Sequence, residues 1–338
     1  MALYPLVLEG SARDIGLRRG RVLKDLIRAV VEDYAPKVRG DQELSEIRDA
    51  IEEALSKDFP EFLEEVRGMA EGAKVPYDDL MLLLAWWSCP KGCSNVALTD
   101  SALGPVLGST LDVGPAPYRV MLLYKPRDGY SFVTVSRADN LSAPRAMNEA
   151  GLCLGGSSTK ALNECKGFPR YVLMRAVAQY CATVSEALEL FSKYERDFKN
   201  PLNVIVVDAE GDAAVVEFTN CRMEVRRPED GGIACTNHYE SSLAKLEARD
   251  PAAVLESKAR YARLVEFIRS CDRSRPIEET KRILRSHGPG GICQHGEAQA
   301  LHATLAFIMV PRRGWFYVSQ PPGPYCKARF VKYEPFEA

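Results

Sequence analysis

An α+β fold with two sheets covered by helices is what the hydrophobic patterning predicts for this 338-residue chain. Three observations carry that expectation. Residues 1–91 repeat their apolar side chains at helical spacing. From residue 93 onward, short alternating runs dominate. These runs fall into groups parted by pairs of helical stretches, an order that lacks the regular βαβ alternation of a parallel sheet.

The N-terminal part reads as mostly helical after a short apolar start, Leu3 to Leu8. Ile15, Leu23, Leu26, Ile27, Val30 and Val31 form one apolar stripe. Ile47, Ile51 and Leu55 form a second, and Phe62, Val66 and Met69 a third. Pro36 and Pro60 punctuate them, and Asp78 or Asp79 is placed to cap a fourth helix ending at Trp87.

Strands are expected at Cys93 to Leu98, Val106 to Asp112, Val120 to Tyr124, Ser131 to Ser136 and Leu152 to Gly155. Met147-Asn148-Glu149-Ala150-Gly151 reads as a turn between two of them. Helices follow at Arg170 to Cys181 and Val184 to Lys193, the second with a capping box from Thr183 and Glu186. A second strand group covers Asn203 to Asp208, Ala213 to Phe218, Arg222 to Arg226 and Ile233 to Cys235. Helices at Ala252 to Arg269 and Ile277 to Ser286 precede strands at Thr304 to Val310, Trp315 to Ser319 and Ala328 to Tyr333. Two segments are expected: helical residues 1–92, and a catalytic domain over 93–338.

Composition narrows the class of function. With 44 basic and 46 acidic side chains the net charge is −2, too small to favour nucleic acid or an anionic membrane surface. No basic block with interleaved aromatics is present. The longest apolar run, Met81 to Trp87, is too short to span a bilayer. Ten cysteines form no dense framework, and the chain begins with no signal-like segment. Reduced thiols and a cytoplasmic location are expected. Only four histidines occur, so histidine-dependent chemistry has few candidates.

The stretch from Lys91 through Gly92 and Cys93 to Leu98, with Gly108 to Asp112, organises the reading. Gly104-Pro105 turns one strand back on the other, so Asp112 is expected to finish near Cys93. Gly92 leaves the peptide bond before Cys93 open to close approach. Cys93 is read as a nucleophile made by cutting the Gly92–Cys93 bond. A buried cysteine is more often a small hydrophobe, and that reading stands beside the first.

The ordered set Gly92-Cys93-Ser94, Gly108-x-x-x-Asp112, Met147-Asn148-Glu149-x-Gly151, Thr236-Asn237-His238 and Ser257-x-x-Arg260 resembles the acyl-coenzyme A:isopenicillin N acyltransferase family. Gly10-x5-Gly16-x3-Gly20, Ile292-Cys293-x-His295 and Gly323-Pro324-Tyr325-Cys326 are similar to it as well. This family belongs to the N-terminal-nucleophile hydrolases, alongside penicillin V acylases and bile salt hydrolases. The resemblance implies a four-layer αββα sandwich and a precursor that cuts itself before Cys93. It implies that Cys93 is the nucleophile, that Asp112 and Arg260 orient and polarise it, and that Asn237 serves the oxyanion hole. Relatives commonly carry Arg-Asn or Gln-Asn before the aspartate, where this chain has Ser109-Thr110. Bile salt relatives place an oxyanion asparagine where this chain has Ser158. Ser158, Ser109, Thr110 and His238 are therefore the further oxyanion or substrate candidates.

The chemistry suits these residue types. A thiol attacks as its thiolate, and a freed α-amine with a pKa of about 7.7–8 can take its proton without a histidine. Asp112 would accept a hydrogen bond from that amine, and Arg260 would favour the thiolate. Bland alternatives stay open: Asp112 as a turn cap, Arg260 on a solvated ion-pair face, Asn237 as a turn residue, and His238 as a structural histidine. Water as acceptor would complete an amidase, and an amine an acyltransferase. The expected substrate is a small N-acyl amide or acyl thioester, acyl-coenzyme A included, with no cofactor. The expected partners are the two self-derived chains, with a homo-oligomer left open. Rival readings are a single-chain Cys–His enzyme using His238, a non-catalytic relative, and a metal site from Cys293, His295 and His302, with or without His287.

Overall fold

The computed structural model describes residues 4–86, 92–112, 118–162, 168–194, 198–199, 201–219, 221–295, 303–320 and 324–337. Strand β1 (Pro5–Gly10) is followed by helices α1 (Ala12–Val22), α2 (Lys24–Val38), α3 (Gln42–Asp58), α4 (Pro60–Ala73) and α5 (Tyr77–Trp86). Next come β2 (Asn95–Leu98), β3 (Val106–Asp112), β4 (Arg119–Pro126), β5 (Phe132–Arg137), β6 (Arg145–Asn148) and β7 (Cys153–Ser158). The short β8 (Phe168–Pro169), α6 (Arg170–Tyr180), α7 (Val184–Lys193) and the short β9 (Phe198–Lys199) lead to β10 (Leu202–Val207), β11 (Ala213–Phe218), β12 (Met223–Arg226) and β13 (Gly232–Cys235). Helices α8 (Pro251–Ser270) and α9 (Pro276–Leu284) precede β14 (Ala303–Val310), β15 (Trp315–Ser319) and β16 (Phe330–Tyr333).

Two large sheets result, ordered β1-β4-β5-β6-β7-β10-β11-β12 and β13-β2-β3-β14-β15-β16. Strand alternation sorts their side chains into three cores. In β10, Val204 and Val206 pack under α6 and α7, while Ile205 and Val207 face the second sheet. In β14, Leu305, Phe307 and Met309 face the first sheet, and Ala306, Ile308 and Val310 lie under α8 and α9. A one-residue slip would exchange these faces, so burial on both sides fixes the register. The layers are helix, sheet, sheet, helix: the αββα sandwich that the family resemblance implies.

The helical segment is not a separate body. Its first strand, β1, pairs in parallel with β4 over Pro5–Gly10. Arg19 of α1 is fully buried and donates to the carbonyls of Arg137 (2.6 Å), Asn140 (2.7 Å) and Ala138 (3.1 Å). It also pairs with Glu65, which pairs with Arg175 of α6 at 3.0 Å. Helices α1 and α4 meet backbone to backbone. A Cβ on Gly16 would lie 2.0 Å from the Glu65 carbonyl oxygen, and one on Gly72 would lie 2.4 Å from that of Leu17.

Several expectations shift. The first apolar stripe is two helices, broken at Leu23. Pro36 lies inside the last turn of α2, whereas Pro60 starts α4. Asp78 and Asp79 sit in the first turn of α5 rather than capping it, and Asp79 pairs with Arg39. The turn at 147–151 is narrower than expected, because Met147 pairs with Val133 and Cys153 and so extends β6. Cys93 precedes β2 instead of opening it. Thr183 and Glu186 form the expected capping box. Trp87, Lys91, His302 and Gly323 lie outside the described residues. Cys221 is disulfide-bonded, which corrects the expectation of an all-thiol chain. Among the described residues no helix is long and apolar enough to cross a membrane.

Gly16→Ala should cost about 1–3 kcal/mol of unfolding free energy, because the overpacked contact is backbone and cannot rotate away. A denaturant midpoint equal to that of the parent protein would show that α1 and α4 do not meet this closely.

Candidate active site

The hairpin of β2 and β3 builds the first side of the site. Its register runs from Leu98 opposite Val106 to Asn95 opposite Ser109. The pairing continues past Cys93: Gly92 and Asp112 exchange backbone hydrogen bonds of 3.1 and 2.9 Å. Thr110 donates its N–H to the Ser94 carbonyl (2.9 Å), and its hydroxyl accepts from the Ser94 N–H (3.0 Å). Cys93 and Asp112 are thus held at one end of the hairpin, both fully buried.

The second side comes from the end of β13 and from α8. Ser257 and Arg260 stand three residues apart on α8, hence on one helix face. The Ser257 hydroxyl accepts the Asn237 N–H at 2.8 Å and donates to the Thr236 hydroxyl at 2.9 Å. Arg260 donates to the Cys93 carbonyl (2.8 Å), the Ser94 hydroxyl (2.8 Å) and Asn237 Oδ1 (3.0 Å). That same Oδ1 accepts the backbone N–H of Cys93 at 2.9 Å. Asn237 Nδ2 donates to the Ser158 carbonyl at 2.9 Å, leaving its second hydrogen for another acceptor. Across the sheets, Asn203 of β10 clamps the carbonyls of Thr236 (3.0 Å) and His238 (2.7 Å).

The structure therefore brings Gly92, Cys93, Asp112, Asn237 and Arg260 together, with Ser158 joined through its carbonyl. Ser109 and Thr110 act as polar links within this frame. The Ser109 hydroxyl donates to Asn95 Oδ1 at 2.5 Å, and that of Thr110 to Asp112 Oδ2 at 3.1 Å. His238 is set apart. Its Nδ1 lies 2.8 Å from the Ser257 hydroxyl and its Nε2 2.5 Å from Glu240, so both ring nitrogens are engaged away from Cys93.

Two site residues, Arg145 and Arg119, carried no sequence signal of their role, and a third, Tyr325, stood in a motif with no role assigned to it. Arg145 opens β6 and is fully buried. It donates to the carbonyls of Thr110 (2.5 Å) and Gly156 (2.7 Å) and to the Ser109 hydroxyl (3.1 Å), while its Nη1 has no partner. Arg119, at the start of β4, makes no side-chain hydrogen bond or ion pair among the described residues, and its Nε is buried. Burial, then the like charges of Arg145 and Arg137, push the Arg119 guanidinium down to about 10. Tyr325 is buried, donates to the Ile292 carbonyl at 2.9 Å and borders Asp112. Asp112 Oδ1 itself has no well-aligned donor.

Burial pushes the Asp112 carboxyl up to about 7, against the pull of Arg260, the Thr110 and Tyr325 hydroxyls and Arg145. The carboxyl is thus half-ionised near neutrality. Cavities of about 360 Å³ lie elsewhere: one beside Arg13, Phe62 and Arg175, the other beside Arg226, Glu240 and Arg269. Neither includes Cys93, which is covered in the continuous chain.

Two helix-clad sheets laid face to face are the architecture of the N-terminal-nucleophile hydrolases, and Cys93 lies covered there with its backbone gripped by Asn237 and Arg260. The chain belongs to the acyl-coenzyme A:6-aminopenicillanic acid acyl-transferase family, whose profile matches residues 99–321. That span includes Asp112, Ser158, Asn237 and Arg260 and begins just after Cys93. An uncharacterized protein of Archaeoglobus fulgidus is 24% identical over 358 aligned residues, covering 87% of this chain and 59% of that protein. The chain thus spans about 59% of the length of that relative. Among solved structures, a mutant of the conjugated bile acid hydrolase from Clostridium perfringens is similar (TM-score 0.49, 13% identity, 71% of this chain and 96% of that one). Penicillin V acylase from Agrobacterium tumefaciens is also similar (TM-score 0.46, 15% identity, 71% and 86%). So is the N-acylethanolamine-hydrolyzing acid amidase ortholog of Caenorhabditis elegans (TM-score 0.45, 13% identity, 65% and 93%).

The raised Asp112 pKa predicts a stability profile. The folded state holds the carboxyl proton more tightly than the unfolded chain, so this group stabilises below pH 3.8 and that contribution is lost as pH rises to about 7. Relative to Asp112→Asn, the parent protein should lose unfolding free energy across that window. Parallel curves from chemical denaturation would refute the perturbation.

Proposed function

We propose that the protein is an autoprocessing N-terminal-cysteine amidohydrolase or acyltransferase, acting on a small N-acyl amide or acyl thioester through an acyl-Cys93 intermediate. One observation carries the reading. The N–H that cleavage would turn into the catalytic amine already rests on Asn237 Oδ1, and Arg260 holds both that oxygen and the Cys93 carbonyl.

Processing would begin with the Cys93 thiol attacking the Gly92 carbonyl. The peptide C–N bond breaks, the Cys93 nitrogen leaves with the thiol proton, and a Gly92 thioester forms. Water then hydrolyses the thioester, freeing the thiol and a Gly92 carboxylate. In turnover, the α-amine accepts the thiol proton as sulfur attacks the substrate carbonyl, and returns it to the departing amine. The free hydrogen of Asn237 Nδ2 supports the developing oxyanion. Asp112, with Oδ1 lacking an aligned donor, would receive a hydrogen bond from the new ammonium. Water or a second amine then resolves the acyl-cysteine.

The charge balance supports a negatively charged substrate. Arg260 and Arg145 act on Asp112, half-ionised near neutrality. Arg119 lies near Cys93 with the like charges of Arg145 and Arg137 beside it and no ion pair among the described residues, and buried guanidiniums without counterions are costly. Seven free cysteines among the described residues support the cytoplasmic location expected from the sequence, and the Cys221 disulfide opposes it.

Intact mass spectrometry should resolve two chains from the parent protein, one beginning at Cys93, and a single full-length chain from Cys93→Ala. One full-length parent species would remove self-activation. Asn237→Ala, if it folds and is processed, should lose turnover by roughly 100- to 1000-fold. In the processed protein, Cys93 should react faster with iodoacetate than with neutral iodoacetamide, as followed by peptide mapping. Arg119→Gln should lower that ratio severalfold. No reaction with either reagent sinks the nucleophile, whereas equal rates sink only the charge preference.

A further inference from the structure

We propose that His287, Cys293, His295 and Cys326 form a structural zinc site, separate from the catalytic cysteine and independent of the amidase reading. Three of these residues lie on the loop after α9, and Cys326 lies on the turn before β16. One ligand atom from each, two imidazole nitrogens and two sulfurs, lies within 4.8 Å of all the others. His295 Nε2 is 3.2 Å from Cys326 Sγ. The rings of His287 and His295 meet edge to face with centroids 5.0 Å apart. The sequence alone points to Cys293, His295 and His302, with or without His287. The structure gathers His287 with Cys293 and His295 and adds Cys326, and His302 lies outside the described residues.

Two thiolates and two imidazoles are a donor set that zinc takes in closed, four-coordinate sites. Zinc–sulfur bonds of about 2.3 Å and zinc–nitrogen bonds of about 2.0–2.1 Å put neighbouring ligand atoms roughly 3.3–3.8 Å apart. The cluster reaches that spacing by side-chain adjustments of about an ångström. Binding replaces the two thiol protons, which pass to solvent; the imidazoles bind neutral, and no redox step is involved.

The backbone beneath the cluster is already held. Cys293 donates its N–H to the Ser286 carbonyl at 3.0 Å. Arg263 of α8 donates to the carbonyls of His287 and Pro289, each at 3.1 Å. Gly290, at φ +66°, sits so close to α8 that a Cβ would come within 2.6 Å of the Ala259 carbonyl oxygen. The Tyr325 hydroxyl donates to the Ile292 carbonyl at 2.9 Å, tying the two ligand-bearing segments beside Cys293 and Cys326. Burial grades outward: Cys293 is buried, Cys326 and His295 are half-buried, and His287 is exposed. Four protein ligands leave no open position for substrate, so the ion clamps the loop to the turn. Because Tyr325 borders Asp112, the clamp lies directly behind the active site.

Untagged full-length protein, purified under reducing conditions without chelator, should carry one zinc per chain by plasma mass spectrometry. Exchange with cobalt(II) should give the intense visible absorption of a tetrahedral, thiolate-bound ion. Cys326→Ser and His295→Ala should each lose the metal, while Cys271→Ser, a free cysteine outside the cluster, should keep it. A strong chelator should lower the Tm of the parent but not of Cys326→Ser. Where a variant fails to fold, the cobalt spectrum of the parent decides. The site is refuted if reduced parent protein takes up neither zinc nor cobalt, or if peptide mapping finds Cys293 and Cys326 joined in a disulfide.

Discussion

Arg260 is the constraint on which the site depends. Carried on α8, its guanidinium is buried and touches two stretches far apart in sequence: the Cys93 carbonyl with the Ser94 hydroxyl, and the amide of Asn237. A charge there is tolerable only because carbonyl, hydroxyl and amide oxygens converge on it, with Asp112 nearby. Lysine would keep the charge but not the planar spread of donors that reaches Cys93 O and Asn237 Oδ1 together. The position of Cys93 relative to Asn237 is thus set by one side chain, and by the Ser257 hydroxyl one helical turn before it.

Much of the fold was legible because burial on both faces of a sheet leaves a strong imprint. β3, β11, β15 and α7 have the bounds that alternation, periodicity and capping residues predict. The misjudged places are those where tertiary contacts override a local signal. Pro36 is accommodated in the last turn of α2. The turn expected at Met147 becomes strand because β5 and β7 flank it on both sides.

For the site, the ordered motifs named residues that the fold does assemble, and the spacing Ser257-x-x-Arg260 foretells a shared helix face. Arg119, Arg145 and Asn203 left no such trace. Each is an ordinary polar residue in sequence, and its importance arises only where one sheet lies against the other. His238 shows the opposite case. It stands next to Asn237 in the chain, yet its ring turns toward Ser257 and Glu240, and both its nitrogens are engaged there.

The seating of the helical segment bears on what a break before Cys93 would mean. β1 is laced along β4, Arg19 is plugged into three carbonyls beyond β5, and α1 crosses α4 without a side chain between them. Severing one peptide bond would cut none of these ties. The product would be a nicked monolith: dilution could not separate its halves, and the new amine would emerge inside a scaffold completed beforehand.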